Sequence, residues 1–219
     1  MAETTRDDLI QSDGSPEGGA AAVPAGGLVL GDDGKLRCAW GSGDPLYVDY
    51  HDHEWGRPLR DERALFELMC LEAFQSGLSW LLILRKRPGF REAFHGFDPE
   101  VVGTYGAADV ERLLSDSRIV RNQAKIEAAI ANAAAVVALH EQGETLVDLV
   151  FSHAPAPDER PPGRFATMAE IPSSTVASRA LAKDLRARGF RFVGPVVGYS
   201  LMEAAGVVDD HLEGCWAGE

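Results

Sequence analysis

From residue 60 onward the sequence is punctuated by helix caps and helix breakers, and runs of alternating β-branched residues are scarce. Asp61 opens an apolar-periodic stretch with Leu65, Leu68, Met69 and Phe74 on one face, and Gly77 stops it. A second helix is expected over Ser79–Arg87, ending before Pro88. Short helices follow around Phe90–His95, Pro99–Tyr105 and Asp109–Ser115. Asn122 caps a long helix in which Ile126, Ile130, Ala133 and Val137 recur until Gly143. Residues 153–164, HAPAPDERPPGR, read as a Pro-rich loop. Thr175–Arg188 and Gly194–Ala205 are the last two helices, joined by GFRFVG. No sheet of any size is expected, so the fold class is all-α.

The 219 residues suffice for one large domain or two small lobes. Residues 1–36 lack periodicity and contain GSPEGGAAAVPAGG, so they are expected to be a disordered acidic tail, with the folded domain spanning 37–219. No apolar run approaches the roughly 18 residues of a membrane span. The first residues, MAETTRDDLI, are acidic where a signal peptide is basic, and three cysteines suit a reducing compartment. A cytoplasmic protein without membrane contact is expected. Net charge is −13, which argues against nucleic acid. The bases nevertheless cluster, Arg85, Lys86, Arg87 and Arg91 in one group and Arg179, Lys183, Arg186, Arg188 and Arg191 in another. They are either local basic faces or solvated helix surfaces.

Three constellations carry candidate chemistry. Cys38 and His51 near the start of the domain, with His211 and Cys215 near its end, offer two sulfurs and two imidazoles, a structural zinc set; the spacing of the last two puts them on one side if the segment is a helical turn. The alternative is two free thiols and two surface histidines. Cys70, among Leu68, Met69 and Leu71, reads as core. Glu72 falls on the apolar side of its helix, where an unpartnered carboxylate is costly and often functional; otherwise it is a helix-end glutamate that reaches water. Trp40, Tyr47, Tyr50, Trp55 and Trp80 are either core rings or a wall for a planar ligand, and the first four lie in a Gly-, Asp- and His-rich stretch that looks like loop.

Together the segments CAWG, DPLYVDYHDHEWG, LFELMCLEAFQSGLSW, FHGFDP, RNQAKI, GFRFVG, YSLMEAAG and DDHLEGC resemble the DNA-3-methyladenine glycosylase I family, over about residues 37–216. That resemblance implies a helix-hairpin-helix glycosylase fold, with helices in two lobes around a base pocket and a zinc ion held by Cys38, His51, His211 and Cys215. It implies that Glu72 hydrogen-bonds the extruded base, that Tyr50 shares the pocket, that Trp80 stacks on the base and that Trp40 walls it. Tyr47 and Ser200 are implied neighbours. The GFRFVG turn, with Phe192, Val193 and Gly194, is the candidate DNA-gripping hairpin. The implied partners are double-stranded DNA containing alkylated adenine and the product 3-methyladenine, acted on by a monomer.

The chemistry expected is recognition of a purine made cationic by methylation at N3, through an anionic Glu72 and a stacking Trp80. Asp210 is expected to orient the zinc-bound imidazole; alternatively Asp209 or Asp210 activates water. The four lysines suggest no lyase nucleophile. A non-catalytic zinc-stapled binding module is the rival reading. A zinc hydrolase is disfavoured, because four ligands leave no open position.

Overall fold

A computed structural model describes residues 27–160 and 163–218. The hairpin β1 (Leu28–Leu30) and β2 (Leu36–Cys38) pairs Leu28 with Cys38 and Leu30 with Leu36. The helices are α1 (Pro45–His53), α2 (Glu62–Gln75), α3 (Trp80–Ala93), α4 (Pro99–Val102), α5 (Ala107–Ser115), α6 (Gln123–Glu141), α7 (Leu146–Ser152), α8 (Val176–Ala187) and α9 (Pro195–Ala204). The hairpin is the only sheet among the described residues, and the all-α expectation holds. Order begins earlier than Arg37, because β1 supplies the hydrogen-bonding partner that Leu36–Cys38 needs. The rest of the expected tail, residues 1–26, lies outside the described residues.

Helix α2 organises the core. Ten consecutive residues, Leu65–Phe74, are buried, as in a helix surrounded on all sides. Helices α3, α6, α7 and α9 all pack on it. Asp61 caps its start through the Ala64 N–H. At its end the buried Lys125 of α6 donates to the carbonyls of Phe74 (2.8 Å) and Ser76 (2.6 Å). A lysine thus closes the C-terminus of α2 and fixes where Gln75 and the Gly77 turn lie. Glu67, a charged residue, is buried because Arg87 and Arg91 both pair with it. Arg85 pairs with Asp44, so the first basic cluster is largely absorbed by acids of the body.

Two helices depart from expectation. The stretch read as loop contains α1, capped by the Asp44 carboxylate on Leu46 N–H with Pro45 at the first position. Helix α3 continues through Pro88 to Ala93. Phe90 and Ala93 bury on the core side, and Gly89 comes so close to Arg118 that a Cβ would lie 2.6 Å from its side chain. Tertiary packing outweighs the hydrogen bond that proline removes.

Helices α8 and α9 pack closely at Gly198, whose missing side chain lets the Ser178 carbonyl approach. Between them runs Arg188–Gly194. Buried Asn132 of α6 clamps this turn, accepting from Arg191 N–H (2.7 Å) and donating to the Arg191 carbonyl (3.1 Å). Phe192 is exposed with φ +56°, a strained conformation for an aromatic residue.

Candidate metal centre and base pocket

The chain ends meet beside α1. Cys38 leaves β2, His51 lies on α1, and His211 and Cys215 follow α9. All four are buried. The ligand atoms of Cys38, His51 and Cys215 lie within 4.8 Å of one another, so this buried group can hold a metal ion. His211 packs its ring edge-on to His51, centroids 4.9 Å apart. Residues 211–215 form a tight turn closed by Cys215 N–H on the Leu212 carbonyl, not the expected helical turn. Gly214, at φ +83°, permits that turn.

The donor set fits a metal on two observations. Each histidine gives its Nδ1–H to a carboxylate: His51 to Asp52 (2.8 Å) and His211 to Asp209 (2.6 Å). Arginines anchor both acids, Arg37 on Asp52 and Arg164 on Asp209. This arrangement leaves both Nε2 lone pairs for the interior. His51 Nε2 lies 3.4 Å from Cys215 Sγ, and His211 Nε2 is buried with no partner among the described residues. The two thiols interact. Cys38 pushes the Cys215 thiol down, against burial and with help from His51, while Cys38 itself is driven up by Cys215 and burial. Gly41 and Gly56 frame the imidazoles; a Cβ on either would collide with His51 or His211. The carboxylate that orients His211 is therefore Asp209. Asp210, to which the sequence assigned that role, instead accepts from Tyr199 O–H.

A chain of rings leads from this cluster to the pocket. Trp55 contacts His211 at 4.6 Å, Trp40 contacts Trp55 at 4.9 Å, Tyr50 lies 6.4 Å from Trp40, and Trp80 lies 5.3 Å from Tyr50. These rings wall a cavity of about 290 Å³ that brings together Trp40, Tyr47, Tyr50, Glu72, Trp80 and Ser200. Tyr47 O–H accepts from Leu81 N–H, tying α1 to the start of α3. Ser79 caps α3 and sets Trp80 at its first position, with the indole N–H buried and unpartnered among the described residues.

Trp55, named with the other rings, lines the cavity too; Gln75, Met168 and Glu203 also line it, and the sequence reading did not place them there. Gln75 and Glu203 were discoverable, since each lies three residues beyond an expected pocket residue on the same helix, Glu72 and Ser200. Met168, from a short turn after the Pro-rich loop, carried no such signal.

No lysine, arginine or histidine lines the cavity among the described residues. Glu72 makes no side-chain hydrogen bond to another described residue, and burial alone pushes its carboxyl up to about 8. Burial therefore works against the expected standing anion: in the empty pocket it favours the protonated form of Glu72. Burial first, then Glu72 and other nearby acids, raise Tyr50, which stays a hydroxyl donor. A larger cavity, about 510 Å³, lies between α8, α9 and the segment 155–177. Its walls carry no tryptophan and neither pocket glutamate, so chemistry rather than volume identifies the site.

The sequence matches the methyladenine glycosylase family over residues 40–218. It is 48% identical over 182 residues to DNA-3-methyladenine glycosylase 1 of Escherichia coli K12, covering 82% of this chain and 95% of that protein. A crystal structure of a 3-methyladenine DNA glycosylase I superposes with TM-score 0.77 at 49% identity, covering 82% of this chain and 98% of that one. The Staphylococcus aureus 3-methyladenine DNA glycosylase I, whose structure addresses 3-methyladenine recognition, gives TM-score 0.77 at 36% identity over 84% of this chain and 96% of that one. The chain belongs to the DNA-3-methyladenine glycosylase I family. No helix among the described residues is long and apolar enough to cross a membrane.

Proposed function

We propose that this protein removes 3-methyladenine from alkylated duplex DNA by base flipping, hydrolysing the N-glycosidic bond and leaving an abasic site. The observation that carries the reading is the cavity itself: a buried carboxyl among tryptophan and tyrosine rings, with no basic side chain lining it.

Methylation at N3 gives the purine a positive charge, and a flipped cation entering this cavity reverses the cost of ionising Glu72. The ionised carboxylate accepts from the exocyclic amino group, a charge-assisted hydrogen bond. Trp80 stacks on the base, and a ring face attracts a cation more than a neutral purine. Tyr50, Trp40, Tyr47 and Ser200 complete the contacts. When the C1′–N9 bond breaks, its electron pair goes to the base, which leaves neutral; water adds to C1′ and loses a proton. Unmethylated adenine brings no charge, so it gains neither the ionised Glu72 nor the stronger stacking. This is differential binding of the reacting state.

Neither Asp209 nor Asp210 lines the base cavity; the first is occupied by His211 and Arg164, the second by Tyr199. A role in activating water is therefore not assigned to either. Lys125 is spent on the end of α2, in keeping with a glycosylase that has no lyase step.

Cys38, His51, His211 and Cys215 would hold Zn²⁺, which would supply structure and not reactivity, because two sulfurs and two imidazoles would leave no open position for water. The metal joins the two ends of the glycosylase domain, residues 37–219, which the β1–β2 hairpin extends. The DNA backbone is gripped by the turn between α8 and α9. There the N–H groups of Phe192, Val193 and Gly194 donate to no other described residue, and Lys183, Arg186 and Arg191 form no ion pair among the described residues. The protein acts as a cytoplasmic monomer.

The test is release of free 3-methyladenine from methylated duplex, with zinc measured on the same sample. Release with about one zinc per chain is expected. A chain that binds methylated duplex without releasing base is instead a binding module, and the reading fails.

A further inference from the structure

Glu203 is a carboxyl the reaction above does not use. It lies on α9, one helical turn beyond Ser200, and lines the same cavity as Glu72. Its backbone is engaged, the carbonyl accepting from Gly56 N–H at 3.1 Å. Its side chain forms no hydrogen bond or ion pair with another described residue, although the chain holds 21 lysines and arginines. Buried Glu67 and Asp52 and half-buried Asp209, by contrast, are each gripped by at least one arginine. The base cavity thus offers two unpaired carboxyls and no cation. A concave site built in this way is complementary to a positive ligand.

We propose that Glu203 is a second specificity-determining carboxyl of the base pocket: with Glu72 it reads the positive charge of the flipped purine, and it gives up its proton to solvent when the cation enters. This rests on the base-pocket reading of Glu72. The groups facing Glu203 are all acidic or phenolic: Glu72 from α2, Tyr50 from α1, Tyr199 from its own helix and Asp210 from the segment after it. Burial first, then Asp210 and Glu72, raise the Glu203 carboxyl to about 9. Burial and these acids therefore favour its neutral form in the empty pocket, and a cation is the kind of ligand whose arrival reverses that balance. Two such groups titrate as a pair, so cation binding releases protons and tightens as pH rises toward that range.

The 3,9-dimethyladenine cation is a suitable probe, since a methyl group stands in place of the sugar and the charge is permanent. Calorimetric titration of the full-length protein at pH 7.5, in buffers of different ionisation enthalpy, counts the protons released. Glu203→Gln is expected to release fewer protons than wild type and to bind the cation about tenfold more weakly, while neutral adenine binds both proteins equally. Equal proton counts together with equal cation affinity in the two proteins would overturn the role of Glu203 alone. A wild type that does not bind the cation overturns the base-pocket reading as well.

Discussion

The metal centre and the base pocket lie a few rings apart and both hold carboxyl groups away from open solvent, yet they treat them in opposite ways. Around His51 and His211, each acid has both an imidazole and an arginine. Asp52 is held down to about 2 against burial by Arg37 and His51, and Asp209 is likewise kept low against burial by His211. In the pocket, Glu72 and Glu203 have no side-chain partner among the described residues and are pushed up. Paired acids fix geometry, whereas unpaired acids store an unfavourable burial that a cationic ligand relieves. The first region is expected to govern stability and the second activity.

Breaking the metal side gives the largest effect. Cys215→Ala, or chelation, is expected to release the metal and lower Tm by on the order of 10 °C, measured by thermal melting with metal analysis; an unshifted melt separates the cluster from stability. On the pocket side, Glu72→Gln is expected to lower kcat/KM by roughly 10²-fold in a single-turnover excision assay while the protein still folds. Wild-type rates in that variant dismiss the carboxylate.

The two regions should also part in their response to pH. Glu72 has a folded value of about 8 against an ordinary 4.5, so the folded state binds the extra proton. Its stabilising contribution is complete below the ordinary value and is lost as pH rises through about 8. Wild-type Tm is therefore expected to fall more between pH 5 and pH 9 than that of Glu72→Gln, and parallel curves would contradict an unpaired Glu72. Trp80→Ala is a smaller perturbation, expected to weaken binding of free 3-methyladenine by about 1–3 kcal/mol; titration calorimetry reads it, and equal affinities refute stacking. Asn132→Ala sharpens the contrast from outside both regions. Loosening the clamped turn is expected to cost about 1–3 kcal/mol of DNA binding and leave free-base affinity alone, as fluorescence anisotropy with duplex can show.

Much of this division was written in local sequence signals. Asp61, Asn122 and Thr175 each cap the helix their positions announce, because capping needs only one side chain and the next turn of backbone. Glu72 was conspicuous as a carboxyl on an apolar face. Other features depend on distant partners and left no local trace. Helix α1 hides in a polar stretch, and α3 runs through Pro88 because Phe90 and Ala93 must bury. Asp209 takes the place expected for Asp210 because the backbone turns before His211 and sends the two neighbouring side chains different ways. Glu72's neutrality also escaped sequence reasoning, since a charge state is set by what surrounds the group in space.

The most direct test is the titration of Glu72 by carbon-13 NMR of labelled glutamate side chains, with Glu72→Gln to assign the signal. An unpaired buried carboxyl requires a midpoint near 8 in the empty pocket, moving sharply downward when the 3,9-dimethyladenine cation binds. A midpoint near 4.5 in the empty pocket, unmoved by the cation, would contradict the account at its root.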